Sequence, residues 1–441
     1  MLEAIIIGRS ILIMKIIYIF VATNGCKINI MTENEFRNLF DTNPKNLQYK
    51  RQIVEYLVDN GPETLPVLAR YLGVSVPTIS KMVGELVNNG LLRNFGKLEA
   101  STGRHPFLFG LTDKDFYFLG VDFSSEHINF VLMDFSGNQV HSKMDVPFRF
   151  ANTKECLNTI CNEVNNYIDN EVNLPRHSIV SIGINILGRL NPHTGYSYTY
   201  FNFDGTPLAT FFTKTFGIPT FIDNDSRAAA YGEYMLHYRQ KGENLLFVHA
   251  TWGLGLGIII NGEPYAGKSG FSGEFGHTHC YENEVICHCG KKGCLETEAS
   301  GRAMHRKFIE RVKQGDRSII TDSGKKIEDI TLDDLIDATL KEDMLCIEIL
   351  EEVGEQLGLH LANLINIFNP HVVVIGGPLA QVGDYLIHPI HSAIRKYSLN
   401  MVNQDTDLKQ SILLRYAGVM GACMLARKKA IASLIDYPLA L

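Results

Sequence analysis

Apolar side chains recur at helical spacing from residue 50 onward. Ile53, Val54, Leu57 and Val58 make one stripe, which Asn60-Gly61-Pro62 brings to a stop. Leu65, Leu68, Ala69 and Leu72 make a second, shorter stripe, closed by Gly73. Ser75 then supplies an N-cap, and Ile79, Val83, Leu86 and Val87 carry the buried face of a third helix. Leu91 to Arg93 and Phe107 to Leu111 read as strands around a polar stretch. The texture changes at Tyr117. Strands are expected at Phe118 to Phe123, Ile128 to Asp134, Ile179 to Ile186, Phe221-Ile222, Leu245 to Thr251 and His371 to Ile375. Helices are expected at Thr153 to Asn170, from Ser226, through most of 300 to 368, and at Gly418 to Leu434. Such alternation predicts an α/β core with helix-covered sheets. Its duplicated look predicts two lobes around a cleft.

A short helix, a glycine turn and a longer helix form the pattern of a helix-turn-helix. Ser75, Pro77, Thr78, Ser80 and Lys81 would face a DNA major groove. Many helical hairpins touch no DNA, so the flanking sequence matters. The polar stretch carries Lys97 and Arg104 and has the length of a wing, with Arg104 placed to enter a minor groove. Residues 45 to 112 hold eight basic and five acidic side chains, a balance of +3 against −7 for the whole chain. Local charge, not total charge, decides approach to phosphates. This segment resembles a MarR-type winged helix.

With 441 residues the chain is too long for one ordinary core. Three segments are expected: an extension over 1–44 outside any fold, a winged helix-turn-helix over 45–112, and a two-lobed domain over 115–435. Ile11 to Ala22 is apolar but short for a membrane span. The preferred reading of the first thirty residues is translated upstream sequence, with Met31 as the start. A membrane tether, a signal peptide or an ordered extension are the alternatives. Of nine cysteines, Cys280, Cys287, Cys289 and Cys294 crowd together and the rest are scattered. That is no disulfide framework; it reads as a metal site in a reducing, cytoplasmic setting.

The stretch from Gly270 to Glu298 is the densest in chemistry. His277, Cys287, Cys289 and Cys294 offer an imidazole and three thiolates, a set suited to tetrahedral structural zinc. His279, Cys280 and His288 are rival ligands. Glu274 and Glu296 flank the set and remain for hydrogen bonding. Gly290 and Gly293 would let the loop wrap tightly.

Those residues resemble the signature of the ROK family (repressors, open reading frames and sugar kinases) over about 115 to 435. Gly276-His277 is followed by nine residues and then by Cys287-His288-Cys289-Gly290-Lys291-Lys292-Gly293-Cys294-Leu295-Glu296. Gly103-Arg104-His105-Pro106 is similar to the wing of the family's repressor branch, which includes xylose and N-acetylglucosamine repressors. The resemblance implies an actin-like, ribonuclease-H-like pair of lobes. It also implies a sugar site at Asn224, Asp225, Glu274, His277 and Glu296, with Gly188 and Arg189 as wall contacts. His277 would then serve zinc with one ring nitrogen and the sugar with the other. In the family's kinases Asp225 would be the catalytic base. Asp225 could also be only a carboxylate at a helix start.

Kinases of the family carry Asp-x-Gly-Gly-Thr after the first strand, a turn whose amides approach ATP phosphates. Here the turn reads Asp122-Phe123-Ser124-Ser125-Glu126-His127, without the glycines. Gly253, Gly255 and Gly257, and Gly376 with Gly377, keep the form of nucleotide loops, though such glycines also persist for packing. ATP is therefore not expected as a ligand. The expected protein is a sugar-responsive transcriptional regulator, a repressor of carbohydrate genes, with an ATP-dependent hexose kinase as the alternative. Its expected partners are operator DNA, a sugar or sugar phosphate, and further copies in a homodimer or homotetramer, without a membrane.

Overall fold

The computed structural model describes residues 36, 38–40, 44–97 and 106–436. Met31, the apolar stretch before it, and Gly103-Arg104-His105 lie outside the described residues. The N-terminal module comprises α1 (Pro44–Asn60), β1 (Glu63–Thr64), α2 (Leu65–Leu72), α3 (Val76–Asn88), β2 (Leu92–Lys97) and β3 (Phe107–Leu111). Gly73 closes α2 at φ 65°, a left-handed position that glycine occupies without strain. The Ser75 hydroxyl accepts from the Thr78 amide and caps α3. Strands pair in the order β1-β3-β2, which makes the two longer strands a wing beside α3.

The first lobe holds β4 (Tyr117–Phe123), β5 (His127–Asp134), β6 (Gln139–Pro147), α4 (Lys154–Asn166), β7 (Ile179–Ile186), a small β8–β9 hairpin (Leu190–Asn191 and Tyr196–Ser197), α5 (Leu208–Phe216) and β10 (Thr220–Asn224). Helix α6 (Asp225–His237) leads to the second lobe, with β11 (Leu245–Ala250), β12 (Leu254–Ile260) and β13 (Glu263–Pro264). Then come α7 (Gly301–Lys313), α8 (Ile319–Asp322), α9 (Leu332–Leu340), α10 (Met344–Phe368) and β14 (Val372–Gly376). The chain ends with α11 (Asp384–Tyr397), α12 (Asn400–Gln404), β15 (Asp407–Gln410) and α13 (Ala417–Asp436). The two five-stranded sheets run β10-β7-β4-β5-β6 and β13-β12-β11-β14-β15. Each lobe thus repeats a mixed sheet whose parallel strands end at the cleft. Among the described residues, no helix is long and apolar enough to cross a membrane.

Two features depart from the sequence expectation. Phe36 and Phe40 are buried, at 2% and 0% exposure. Phe36 meets Phe40, Phe116 and Phe135 edge-on, at ring distances of 5.5, 5.9 and 6.3 Å. The expected extension to residue 44 therefore ends too late, because this aromatic knot sits where the N-terminal module joins the first lobe. The glycine run at 253–257 is also mostly strand, not loop. Gly255 and Gly257 lie in β12 opposite His249 and Phe247.

Helices α6 and α13 cross at glycines. A side chain at Gly421 would stand 1.7 Å from the Ala228 carbonyl oxygen, and one at Gly232 would stand 2.5 Å from that of Ala417. Their far ends meet the N-terminal module. The Arg239 guanidinium, just past α6, donates to the Val58 carbonyl of α1, and Arg51 of α1 donates to the Ala432 carbonyl at 3.4 Å.

Candidate functional site

Three parallel strands of the first lobe, β4, β7 and β10, deliver their ends to one place. Ligands of open α/β sheets gather at such ends. Asp122 and Asn185 each lie one residue before the end of their strands, β4 and β7, and Asn224 closes β10. The Asn185 amide donates to Asp122 Oδ1 at 2.9 Å and to the Gly418 carbonyl at 2.7 Å. A side chain at Gly418 would stand 2.7 Å from Asp122 Oδ1, so Asp122 is pressed against the start of α13. Burial pushes its carboxyl up to about 6, with Asp225 adding to the rise and Asn185 opposing it.

Asn224 caps α6. Its Oδ1 accepts from the amides of Ser226 and Arg227 at 3.1 Å each. Its Nδ2 donates to the Gly188 carbonyl at 3.1 Å and to Asp225 Oδ1 at 2.8 Å. The side chain thus spends both donors and both lone pairs inside the protein. Asn224 aims Asp225 and fixes the Gly188 turn rather than offering its own amide outward. Asp225 Oδ2 faces His249 Nδ1 at 3.7 Å, and burial depresses that imidazole. Next to it, Asp223 is held at about 2: burial works against its charge, and Lys429 with Arg227 overcomes that. Arg227 also donates to the Gly270 carbonyl at 3.3 Å, which anchors the start of the cysteine-rich loop.

Arg189, just past the Gly188 turn, reaches the other lobe. Its Nε and Nη2 both sit 3.1 Å from Glu274 Oε2. His277 Nε2 lies 3.8 Å from the same oxygen. Its Nδ1 lies 3.6 Å from Cys287 Sγ, and Cys289 Sγ lies 3.6 Å from Cys294 Sγ. The four donor atoms of His277, Cys287, Cys289 and Cys294 all fall within 4.8 Å of one another. Ligands around a tetrahedral zinc with Zn–S near 2.3 Å stand about 3.8 Å apart, so the set has the right span for one ion. A second grouping, His277, His288 and Glu296, is also compact, but His288 is exposed and bonds the Glu296 carboxylate at 2.7 Å. His279 and Cys280 fall in neither group.

Glu296 is 4% exposed. Its Oε2 accepts from the Leu254 amide at 3.1 Å and its Oε1 accepts from His288. Burial opposes its charge, yet these bonds hold the carboxyl below the ordinary range. Like Asn224, it works within the protein. Asp225, Glu274, Arg189 and the Nε2 edge of His277 remain as the groups presented to the cleft. His249 and Asn185 were not foreseen, because a lone histidine or asparagine in an apolar strand carries no signal of its own.

The glycine positions are packing positions. A side chain at Gly255 would meet Ser226 Oγ at 2.0 Å, one at Gly257 would meet Ala230 Cβ at 2.3 Å, and one at Gly253 would meet Glu296 Oε2 at 2.8 Å. One at Gly376 would strike the Phe247 ring at 2.1 Å, and one at Gly377 the Ala250 carbonyl at 2.6 Å. The turn after β4 is closed on itself. The Ser124 amide donates to the His127 carbonyl at 2.9 Å, and Ser124 Oγ accepts from the amides of Glu126 and His127 at 3.3 and 3.1 Å. On the N-terminal module, Ser75, Pro77, Thr78, Ser80 and Lys81 are all exposed along the start of α3. Arg104 lies outside the described residues.

A family model described as "ROK family" matches residues 118–429. The chain belongs to the ROK family. It is 27% identical to a xylose repressor of Caldicellulosiruptor bescii over 88% of this chain and 96% of that protein. It is 26% identical to the transcriptional dual regulator NagC of Escherichia coli over 86% and 93%. Among solved structures, a ROK family transcriptional regulator homologous to the E. coli MLC protein superposes with a TM-score of 0.73 at 27% identity, over 88% and 97%. A ROK glucokinase of Streptomyces griseus, solved with glucose and AMPPNP, gives a TM-score of 0.62 at 25% identity, covering 71% of this chain and 99% of the enzyme. The regulators span the N-terminal module as well as the lobes.

Proposed function

We propose that this ROK protein is a sugar-responsive, DNA-binding transcriptional regulator, a repressor of carbohydrate genes acting in the cytoplasm. One observation carries the reading: the exposed polar start of α3 belongs to a module fastened to α6 and α13, the two helices that begin at the cleft. Residues 45–112 would read operator DNA, with Arg104 in the minor groove. Residues 115–435 would hold the effector, with Asp225, Glu274 and Arg189 on its hydroxyls. Carboxylates accept such hydroxyls through charge-assisted bonds. Asn224, Glu296 and Gly188 would position those groups. His277, Cys287, Cys289 and Cys294 would hold a structural zinc, which fixes the His277 ring so that Nε2 faces the sugar.

Helix α6 has 13 residues and α13 has 20, so they reach about 20 and 30 Å. A change in lobe closure at Asp225 or Gly418 would tilt both rods against α1. In a homodimer or homotetramer that tilt would alter the spacing of two recognition helices, and DNA affinity would fall. Asp225 would hold a hydroxyl without deprotonating it. The kinase alternative draws on the likeness to a glucokinase, but the closed Ser124 turn gives it no phosphate cradle.

Fluorescence anisotropy on promoter fragments of neighbouring carbohydrate genes tests the reading. Nanomolar binding that weakens with salt and is released by a sugar is expected. Binding to no fragment at low salt, or turnover of ATP with a hexose, would overturn it.

A further inference from the structure

His249 lies on β11 with a glycine beside it on each neighbouring strand, Gly255 of β12 and Gly376 of β14. Two lateral neighbours without side chains leave room for an imidazole. A side chain at Gly255 would stand 2.0 Å from Ser226 Oγ, and one at Gly377 would stand 3.0 Å from His249 Cδ2. The ring is thus confined between the start of α6 and the Gly376-Gly377 turn. Its Nδ1 edge meets the first two residues of α6, Ser226 Oγ at 3.2 Å and Asp225 Oδ2 at 3.7 Å. The longer of these distances is beyond a hydrogen bond, so Ser226 is the link.

Ser226 Oγ stands 3.2 Å from His249 Nδ1 and 3.4 Å from Asp225 Oδ1. A hydroxyl has one proton and gives it to one of them at a time. A neutral ring with its proton on Nε2 accepts that hydroxyl at Nδ1. Whichever nitrogen carries the proton of the neutral ring, the imidazolium donates from both. It then holds Ser226 Oγ as an acceptor and turns the hydroxyl proton toward Asp225 Oδ1, where Asn224 Nδ2 already donates at 2.8 Å. It also sets a positive charge 3.7 Å from Oδ2. Both changes engage the lone pairs that Asp225 would otherwise offer a ligand hydroxyl. Burial disfavours the charged ring and Asp225 opposes that, with the net shift downward, so the imidazole is neutral near pH 7. Among the described residues, Asp225 is the charged group that faces it. From β12 and β14 it meets glycines, and Phe247 lies along its own strand at a ring distance of 6.0 Å. Asp122 acts on Asp225 from β4.

We propose that His249 is a positioning residue for Asp225, acting through Ser226, and that the cleft takes a hydroxyl-bearing ligand in the form with a neutral imidazole. This inference rests on the sugar-responsive reading and adds a residue and a proton to it. By linkage, a bound sugar makes the ring harder to protonate by the same factor that protonation weakens the sugar. In a regulator, acidification would then call for more sugar to release DNA.

Calorimetric titration of the zinc-loaded full chain with glucose, mannose, N-acetylglucosamine and xylose, repeated from about pH 8 to about pH 5.5, tests it. The sugar that binds is expected to lose roughly tenfold in affinity over that range. His249→Asn keeps a neutral polar group near the place of Nδ1 and cannot be charged. It is expected to bind the same sugar at the upper pH and to lose less on acidification. Asp122, pushed up to about 6, titrates in both proteins, so the difference between the two profiles belongs to His249. Identical profiles would overturn the inference and leave the sugar-responsive reading intact. A second measurement needs no variant to bind sugar: in the wild type, the NMR titration midpoint of the His249 ring is expected to fall when the sugar is saturating. A midpoint that stays or rises would also overturn the inference. Binding of none of the four sugars at any pH removes the sugar-responsive reading itself.

Discussion

Asp122→Asn offers a direct test of how the cleft floor is built. Asp122 sits against the start of α13 with Asn185 as its donor and Asp225 nearby. Burial raises its carboxyl from 3.8 to about 6. The folded state therefore holds a proton that the unfolded chain releases earlier. Below pH 3.8 both states are protonated and the site is neutral in its effect. As pH rises through the window from about 4 to 6, the wild type loses stability; above 6 both states are ionised and the loss is complete. A shift of about two pH units corresponds to up to about 3 kcal/mol. Asparagine can still accept from Asn185 but carries no charge. Urea unfolding of Asp122→Asn at pH 7.5 is expected to show a gain approaching that figure, shrinking to nothing below pH 4. A loss of stability at pH 7.5, or a difference from wild type that does not change between pH 4 and 7, would refute the burial argument.

Other perturbations have equally definite outcomes. Cys289→Ser should abolish bound zinc by elemental analysis and lower stability by several kcal/mol, since a structural ion contributes directly to folding; retained zinc would exclude Cys289 as a ligand. Lys81→Ala should weaken DNA binding evenly across sequences and reduce the salt slope by about one; an unchanged slope would place Lys81 off the phosphates. Gly421→Ala forces a methyl to 1.7 Å from the Ala228 carbonyl, so a loss of about 2 kcal/mol or more is expected in thermal unfolding; a neutral result would mean that the α6–α13 crossing relaxes freely. Arg415 spans the lobes, with Nη1 3.6 Å from Asp145 of β6 and Nη2 3.2 Å from Asp333 of α9. Arg415→Ala should cost only about 1 kcal/mol but speed hydrogen exchange in β6 and α9 selectively; uniform exchange changes would argue against a latch.

Much of this architecture was legible because it is local. The stripe at Ile79, Val83 and Leu86, the glycine at 73 and the hydroxyl at 75 decide where α3 starts and which face it shows, and no distant residue is consulted. The Cys-x-Cys-Gly-x-x-Gly-Cys spacing likewise brings three sulfurs to one loop through its own short reach. Phe36 was not legible in this way, since its partners Phe116 and Phe135 stand some eighty to a hundred residues away. Arg415 escaped for the same reason, because its two carboxylates come from opposite lobes.

The glycines teach a different lesson. Gly253 to Gly257 have the composition of a phosphate loop, and composition alone cannot separate a loop that approaches a ligand from a strand approached by a helix. Both need the absence of a side chain. The backbone settles it: Gly255 and Gly257 pair in β12, and Ser226 and Ala230 of α6 fill the space above them. The close approach that a kinase would use toward a nucleotide here lets α6 lie directly on the sheet. That same helix begins at Asp225 and leads to Arg239, which meets α1. The glycines that look like the remains of a catalytic loop are therefore what allows a straight mechanical path from cleft to DNA-binding module. A bulky residue at Gly257 should weaken the coupling between sugar and DNA more than it weakens either binding event alone. Measuring sugar affinity with and without operator in Gly257→Ala would decide it: a coupling equal to that of the wild type would mean that the signal does not travel through α6.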